Sequence, residues 1–392
     1  MKTLFPFYQH HPKAVYLDNA CQTLRPQTVV DAVMDYYIRL SSCAGRSNHD
    51  LAEAVNKLVL ESRQSMAKLL NGQAEEIVFV RNTTEAINMV ANGFHWAKDD
   101  LVVTTGKEHN SNLLPWIRLA KQGKIRHLVA DLDEQGNFSL DKFKQAVVGS
   151  RLVSFPWVSN LDGEVFPIKD MVKIVHQAGA FVLIDAAQAV GHIKIDVKDL
   201  DIDFLCLSGH KMYGPSGTGV LWGKKEMLEK LEPLSIGGGT VNDSSYDNYE
   251  LLAVPERLEA GLQDYGGIIG LGASARFLAG KVEESGKQEH QLAELVREQL
   301  AGLGNITLFG PADSGKRSGI VSFTVKGKSV HEVSLLLSKA YDVYVRSGQL
   351  CVHSWFHRMG MTNGVIRASF GMYNDQQDAA RLVEAIKNIS KL

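Results

Sequence analysis

The sequence predicts an α/β protein in which helices cover a mostly parallel sheet and a second, smaller α+β domain follows. Two observations favour this class. From about residue 77 to residue 223, apolar runs of strand length alternate with helical patterns, as is typical of parallel sheets. After about residue 260 the alternation stops, and a Gly/Ala-rich helical stretch leads into a charged one.

The elements of the first domain follow from this alternation. Short runs rich in Val, Ile, Leu and Phe predict strands at 77–81, 101–104, 125–129, 151–157, 180–185, 204–207 and 219–223. Helical periodicity between them predicts helices at 84–95, 112–122, 140–148 and 168–177. In sheets of this kind, ligands bind beyond the carboxyl ends of the strands.

The last third of the chain predicts the smaller domain. Its pattern favours strands at 320–325, near 343–346 and at 365–369, and helices at 330–340 and 376–389. We therefore assign residues 15–265 to the large domain. Residues 1–14 and 266–392 form the small one, with a long helix around 266–303 as the hinge.

The amino-acid composition argues against several classes of function. The chain has 392 residues, of which 45% are hydrophobic and 22% charged, as in ordinary globular proteins. Its 42 basic and 44 acidic residues give a net charge of −2, which argues against a nucleic-acid or anionic-membrane partner. No apolar run is long enough to predict a signal peptide or a transmembrane helix.

The cysteines also bear on compartment and metal binding. Cys21, Cys43, Cys206 and Cys351 are scattered, without a C-x-x-C pair or the spacing of a metal site. Scattered thiols are typical of a reducing compartment, so we expect a cytoplasmic protein without a metal.

Polar groups stand at the ends of two successive strands. The run FVLIDAAQAVG ends a buried strand in Asp185, and Gln188 follows three positions later. A carboxylate at that place is costly unless it meets a cation. The next strand leads into LSGHKMYGPSGTG, where Ser208, His210 and Lys211 lie between glycines. Because small neighbours let a ligand approach closely, Lys211 is expected to face a binding site.

Other strand ends carry similar groups. Thr83 and Thr84 begin the helix after IVFVR, where free N–H groups and the helix dipole favour an anion. His109 in TTGKEHNSNLLPW and Asn160 in PWVSNLDG follow later strands. Each residue alone has an ordinary explanation, such as a helix cap or a solvated loop. Together they match what a phosphorylated pyridine cofactor needs, namely a Schiff-base lysine, a carboxylate for the ring nitrogen, phosphate donors and a flat side chain.

These residues belong to longer motifs, which include RNTTEAIN, KEHNSNLLPW, LIDAAQAVGH, LSGHKMYGPSGTGVLWG and RSGQLC. With them, the sequence resembles the class V aminotransferase family of fold type I pyridoxal-phosphate enzymes. It is similar in particular to group II cysteine desulfurases, which include selenocysteine lyases. The resemblance extends from YLDNA to RASFGMYND and implies a fold type I large domain and pyridoxal 5′-phosphate as the cofactor.

The resemblance implies a role at the cofactor for each strand-end residue. Lys211 would form the Schiff base, Asp185 would pair with the pyridine nitrogen, His109 would stack on the ring and Gln188 would hydrogen-bond its phenolic oxygen. Asn160 would also touch the cofactor. The phosphate would be held by Thr83, Thr84, Ser208 and His210.

The resemblance implies the reaction as well. Asn160 and Arg367 would bind the substrate carboxylate, and His109 would carry a proton near neutral pH. Cys351 falls at the sulfur-accepting cysteine of the motif R-S-G-x-x-C. The expected activity converts L-cysteine to L-alanine and leaves a persulfide on Cys351, in a homodimer that hands sulfur to an acceptor protein, with iron–sulfur cluster assembly as one destination.

Departures from the family pattern and other activities remain open at this stage. Leu262 and Gln263 stand where relatives carry a threonine that reaches the partner's phosphate, and Gln349 and Leu350 replace a common pair of histidines. The alternatives are a selenocysteine lyase, another class V lyase or aminotransferase, and a scaffold subunit without activity. Cys21 and Cys43 compete with Cys351 as reactive thiols, although buried filling is the commoner role of free cysteine.

Overall fold

The computed structural model describes residues 1–391, and its largest feature is a seven-stranded sheet. In spatial order its strands are Ile77–Val80, Gly219–Gly223, Phe204–Ser208, Phe181–Asp185, Leu152–Pro156, Leu101–Thr105 and Arg126–Ala130. Gly219–Gly223 runs antiparallel to both of its neighbours, and every other pairing in the sheet is parallel. The predicted α/β class with a mostly parallel sheet is therefore confirmed.

Burial explains why these segments form strands. All strands between the two edges are buried along almost their whole length, because helices cover both faces of the sheet. The edge strand Arg126–Ala130 is largely exposed and carries Arg126 and His127 beside the exposed Leu128 and Val129. The helices of this part are Gln27–Asp35, Asp50–Leu70, Thr83–Gly93, Asn110–Lys121, Leu140–Ala146, Ile168–Gln177, Val197–Leu200, Lys225–Leu228 and Tyr265–Leu278.

The predicted long helix around 266–303 is two helices, Tyr265–Leu278 and Val282–Ala301. The chain turns between them at Gly280, whose φ of +73° favours glycine. Tyr265–Leu278 is almost entirely buried against Asp50–Leu70, a helix that the sequence pattern did not reveal. A Cβ at Gly272 would collide with Ser62, so the glycine permits this close packing.

The smaller α+β part is built on a four-stranded antiparallel sheet. Its order is Ile306–Leu308, Ile320–Val325, Val365–Ser369 and Arg346–Gly348. Helices Val282–Ala301, Val330–Tyr341, His353–Arg358 and Gln376–Ile389 accompany it. The strand Ile306–Leu308 was not predicted.

The division of the chain at residue 265 stays a prediction. Val15–Tyr16 pairs with Val343–Tyr344 of the smaller part, whereas Phe5 and Tyr8 belong to the core of the large sheet. Tyr265, Ile268, Leu271 and Leu278 belong to the core of the large sheet. On these contacts we propose that the second unit begins near residue 282 instead.

The remaining elements are short. The helices Lys2–Leu4 and Phe7–His10 begin the chain, and a π-helical turn spans Tyr36–Leu40. The strands Val241–Ser244 and Tyr249–Leu251 form an exposed hairpin. Short 3₁₀ turns lie at Ala74–Glu76, Gly209–Lys211, Glu256–Leu258 and Ser314–Lys316. Within residues 1–391, no helix is long and apolar enough to cross a membrane.

A buried ion cluster joins the loops that carry His109 and Asn160. The side chain of Lys107 has no solvent exposure, and its Nζ lies 2.6 Å from Asp162 Oδ2 and 2.7 Å from Glu164 Oε2. Burial lowers the pKa of Lys107, but the two carboxylates outweigh that effect and raise it. The cluster therefore fixes two strand-end loops relative to each other.

We expect Lys107→Met to lower the free energy of unfolding by about 3–5 kcal/mol, because it leaves two carboxylates buried without their cation. The measurement is urea-induced unfolding followed by circular dichroism. The matched control is Lys124→Met, since Lys124 is exposed and its loss should change stability by at most about 0.5 kcal/mol. Equal effects of the two substitutions would contradict the role of the cluster.

Candidate active site

A cleft of about 280 Å³ lies where the parallel strands of the large sheet end. Every residue that the sequence analysis placed in a site lines it, although these residues are spread over almost the whole chain. They are Thr83, Thr84, His109, Asn160, Asp185, Gln188, Ser208, His210, Lys211, Cys351 and Arg367. The structure thus brings the predicted residues together, while their individual roles stay predictions.

Lys211 ends the short turn Gly209–Lys211, directly after the strand Phe204–Ser208. Its backbone carbonyl accepts a hydrogen bond from His192 Nε2 at 3.1 Å, and His192 Nδ1 lies 2.7 Å from Glu289 Oε2. Burial lowers the pKa of the Lys211 amine, although Asp185 opposes that shift. The hydrogen bond from His192 therefore fixes the backbone of Lys211. Its amine loses a proton more easily than the amine of an ordinary lysine.

Asp185 is the last residue of the strand Phe181–Asp185 and is 6% exposed. Its Oδ1 accepts the backbone N–H of Ala187 at 2.9 Å. Burial raises the pKa of this carboxyl, while that hydrogen bond and the charge of Lys211 lower it. A carboxylate in this position is complementary to a protonated ring nitrogen.

The start of the helix Thr83–Gly93 forms a donor-rich corner of the cleft. Asn82 caps the helix, since its Oδ1 accepts the Glu85 N–H at 3.0 Å. The Thr83 N–H donates to Ser208 Oγ at 2.9 Å, and the hydroxyls of these two residues are 2.8 Å apart. Thr84 Oγ1 lies 2.6 Å from Ser111 Oγ. Hydroxyls at a helix N-terminus suit a phosphate group.

His109 caps the helix Asn110–Lys121, and its Nδ1 accepts the Ser111 N–H at 3.1 Å. The proton of the neutral ring therefore lies on Nε2. Burial, helped by the charges of Lys211 and Arg367, lowers the pKa of His109 to about 3. The lowered pKa favours a neutral, flat ring facing the cleft, and the role of His109 as a proton carrier stays a prediction.

Arg367 reaches the cleft from the central strand Val365–Ser369 of the smaller sheet and is 3% exposed. Its Nη1 donates to the Asn160 carbonyl at 2.8 Å, and its Nη2 lies 3.4 Å from Asp18 Oδ1. Its Nε finds no hydrogen-bond acceptor among residues 1–391. An unpaired buried donor costs about 1–3 kcal/mol, so Arg367 is ready to receive an anionic ligand.

Cys351 is the exposed thiol of the cleft. It follows the strand Arg346–Gly348, in a loop where Leu350 and Cys351 have φ values of +51° and +60°. Two left-handed non-glycine residues in succession are strained and need support. Hydrogen bonds from Asn160 Nδ2 to the Leu350 carbonyl and from the Asn110 N–H to the Cys351 carbonyl, both 2.8 Å, supply it.

Comparison with known proteins identifies the family. The sequence model described as Aminotransferase class-V matches residues 15–382. The chain belongs to the class V aminotransferases. This class V chain is 37% identical to a probable cysteine desulfurase of Pyrococcus abyssi, over 97% of this chain and 95% of that protein. It is 35% identical to a cysteine desulfurase of Pectobacterium atrosepticum, over 96% and 93% of the respective chains.

Solved structures confirm the expected fold of this class V protein. A cysteine desulfurase of Thermococcus onnurineus, solved in its apo form, superimposes with a TM-score of 0.95 at 36% identity, covering 100% of this chain and 97% of that one. A cysteine desulfurase of Escherichia coli gives a TM-score of 0.91 at 32% identity, with the same coverage.

Sequence reasoning did not place several residues at the cleft of this class V protein, although it named Cys21 as a competing reactive thiol. Cys21, Ser111 and Arg346 line the cleft, and Asp18 pairs with Arg367. The motifs YLDNA, HNSN and RSG contain or adjoin all four residues. Their place at the cleft becomes evident only from the folded structure, which brings the three motifs together. Leu262 and Gln263 instead border a neighbouring depression together with Arg81 and Glu85.

The state of His109 can be tested by NMR of protein that carries labelled histidine. Because its folded pKa is about 3, against an ordinary value of 6.5, the His109 ring should remain neutral from pH 7 down to about pH 5. The variant His109→Gln identifies the resonance. A chemical shift change that reports protonation in this range would contradict the buried, cation-facing position of the ring.

Proposed function

We propose that the protein is a pyridoxal-phosphate-dependent cysteine desulfurase that converts L-cysteine to L-alanine and stores the sulfur as a persulfide on Cys351. One observation supports this most strongly. The exposed Cys351 thiol, the half-buried Lys211 and the unpaired Nε of Arg367 all line a single cleft. The class V relatives named as cysteine desulfurases support the same reaction.

The residues present fit the cofactor. Lys211 offers an amine of lowered pKa for its aldehyde carbon, and Asp185 offers a carboxylate for its ring nitrogen. Ser208 and Thr83 would hold its phosphate, and the neutral ring of His109 would stack on it. When bound, the cofactor supplies an electron sink that weakens bonds at the substrate's Cα and, in turn, its Cβ–S bond.

The chain's own groups position the substrate and move its protons. Arg367 would bind the substrate carboxylate through its free Nε, while its Nη1 stays on the Asn160 carbonyl. Asn160 would orient the same carboxylate. Lys211 would take the proton from the substrate's Cα, and its lowered pKa makes the neutral amine easier to reach than in an ordinary lysine.

Cys351 would receive the sulfur. Its thiolate forms a bond to the substrate sulfur while the Cβ–S bond breaks, and protonation of the carbon skeleton yields alanine. Lys211, Arg346 and Arg367 line the same cleft and give the thiolate a positive surrounding. The loop bonds to Asn160 and Asn110 keep Cys351 at the cleft.

We also propose a homodimer that passes sulfur to an acceptor protein in the cytoplasm, with iron–sulfur cluster assembly as the destination. Exposed apolar side chains support an interface near the neighbouring depression. Leu262 is 66% exposed, Ile236 51% and Ile38 72%. The exposed position of Cys351 supports access by an acceptor. The oligomeric state is measured by light scattering of the holoenzyme.

The reaction is tested with Cys351→Ser. Its holoenzyme should stay yellow, because the cofactor site is unchanged, but it should form no persulfide from L-cysteine and release alanine at under about 1% of the wild-type rate, since the attacking thiolate is gone. Mass spectrometry detects the added sulfur. Lys211→Ala should lose both the colour and the persulfide. Persulfide on another residue of Cys351→Ser, at the wild-type rate, would contradict the assignment.

The carboxylate site is tested with Arg367→Ala and Arg367→Lys. Removing a buried, charge-assisted contact should raise KM for L-cysteine about 10- to 100-fold, since such bonds are worth about 1.5–3 kcal/mol. Arg367→Lys should recover only part of the loss, because an ammonium cannot reproduce the fork of contacts. The measurement is steady-state alanine formation. A KM equal to that of the wild type in both variants would exclude Arg367 from substrate binding.

A further inference from the structure

The cleft contains a second thiol. Cys21 is half-buried and lines the same cleft as Cys351. It lies in a turn where its own N–H and that of Gln22 donate to the Asp18 carbonyl, at 3.0 and 3.1 Å. Lys211 lines this cleft as well, so both thiols share it with the same amine.

Hydrogen bonds connect the turn of Cys21 with the loop of Cys351. Asn160 Nδ2 donates to the Leu350 carbonyl, next to Cys351, and the Asn160 carbonyl accepts from Arg367 Nη1, both at 2.8 Å. Arg367 Nη2 then reaches Asp18 Oδ1 at 3.4 Å. The backbone segments that carry the two thiols are therefore connected through Asn160 and Arg367.

The segment that carries Cys21 is also fixed to the cofactor side of the cleft. The Ala20 carbonyl accepts from Gln188 Nε2 at 2.7 Å, and the Ala20 N–H donates to Ser369 Oγ at 2.8 Å. Thr23 Oγ1 donates to the His210 carbonyl at 3.1 Å. Cys21 is thus held between residues adjoining Lys211 and residues adjoining Arg367, and it shares the cleft with both cations.

The other two cysteines have different surroundings. Cys206 is fully buried within the strand Phe204–Ser208, and Cys43 packs against the core of the large sheet outside the cleft. A thiol that is partly exposed and shares a site with cations is the reactive kind. Cys21 and Cys351 share these properties, whereas Cys206 has none of them.

We propose that Cys21 is a second sulfur acceptor, which takes the outer sulfur of the persulfide formed on Cys351. This inference rests on the proposed desulfurase reaction. The Cys21 thiolate attacks the outer sulfur and forms a new S–S bond, while the bond between Cys351 Sγ and that sulfur breaks and Cys351 leaves as a thiolate. One persulfide replaces another, so no oxidant or reductant is consumed. Cys351 is then free to accept a second sulfur.

The test uses the holoenzyme with excess L-cysteine, without reductant or acceptor protein. Alkylation traps the persulfides, mass spectrometry of peptides locates them, and a rapid assay counts the alanine released in the first burst. The wild type should carry added sulfur on Cys21 and Cys351 and release about two equivalents of alanine per chain, because each exchange frees Cys351 once. Cys21→Ser should release about half as much and carry sulfur on Cys351 only.

Two further variants distinguish transfer through Cys351 from direct sulfur transfer to Cys21. Cys43→Ser is the matched control and should behave as the wild type. Cys351→Ser should carry no sulfur on Cys21, because the transfer passes through Cys351. Sulfur on Cys351 alone in the wild type would overturn the exchange and leave the desulfurase reaction standing, whereas sulfur on neither residue would overturn both. Sulfur on Cys21 of Cys351→Ser, or a Cys21–Cys351 disulfide with release of sulfide, would also overturn the exchange.

Discussion

The site depends on the buried guanidinium of Arg367, which joins the two halves of the protein. Arg367 extends from the smaller sheet to the Asn160 carbonyl of the large one and to Asp18 of the N-terminal segment. Burial lowers its pKa and Asp18 raises it, so a desolvated cation is retained at a cost that these partners offset in part. Without it, the loop of Cys351 would lose its indirect tie to the N-terminal turn.

The same cation shapes the electrostatics of the whole cleft. Arg367, Lys211 and Arg346 bring positive charge to a space where Asp185 is the buried counter-charge. A phosphate, a carboxylate and a thiolate are all favoured there, which suits a reaction whose participants are mostly anions. The positive charge disfavours a second cation, so burial and the charges of Lys211 and Arg367 keep the His109 ring neutral.

Much of the cleft could be predicted from the sequence because it obeys a general rule of parallel sheets. Asp185, Ser208 and Pro156 end parallel strands that lie side by side, so the residues that follow them meet at one edge. The helix start at Thr83 could be predicted from its local pattern, whereas the helix Asn110–Lys121 begins two residues before its predicted start. Short-range sequence patterns and the regular geometry of parallel sheets are enough to predict these features.

What the sequence did not show depends on distant partners. The helix Asp50–Leu70 escaped notice because its buried face includes Ser62 and Arg63. Arg63 is tolerated there because it pairs with Glu259, which is far away along the chain. The neutral state of His109 likewise depends on burial by the folded chain and on Lys211 and Arg367. A pattern within a short window cannot contain such pairings.

The two thiols of the cleft differ in how the backbone holds them, and this difference suits a direction of sulfur flow. Cys351 lies in a strained loop at the rim, held by two backbone contacts, whereas the segment around Cys21 is hydrogen-bonded to Gln188 and Ser369 on opposite sides. Rotation of the exposed Cys351 side chain would leave its loop bonds intact, whereas movement of the segment around Cys21 would break bonds to both halves. We therefore expect sulfur transfer to involve movement of the Cys351 side chain, while the segment around Cys21 stays in place.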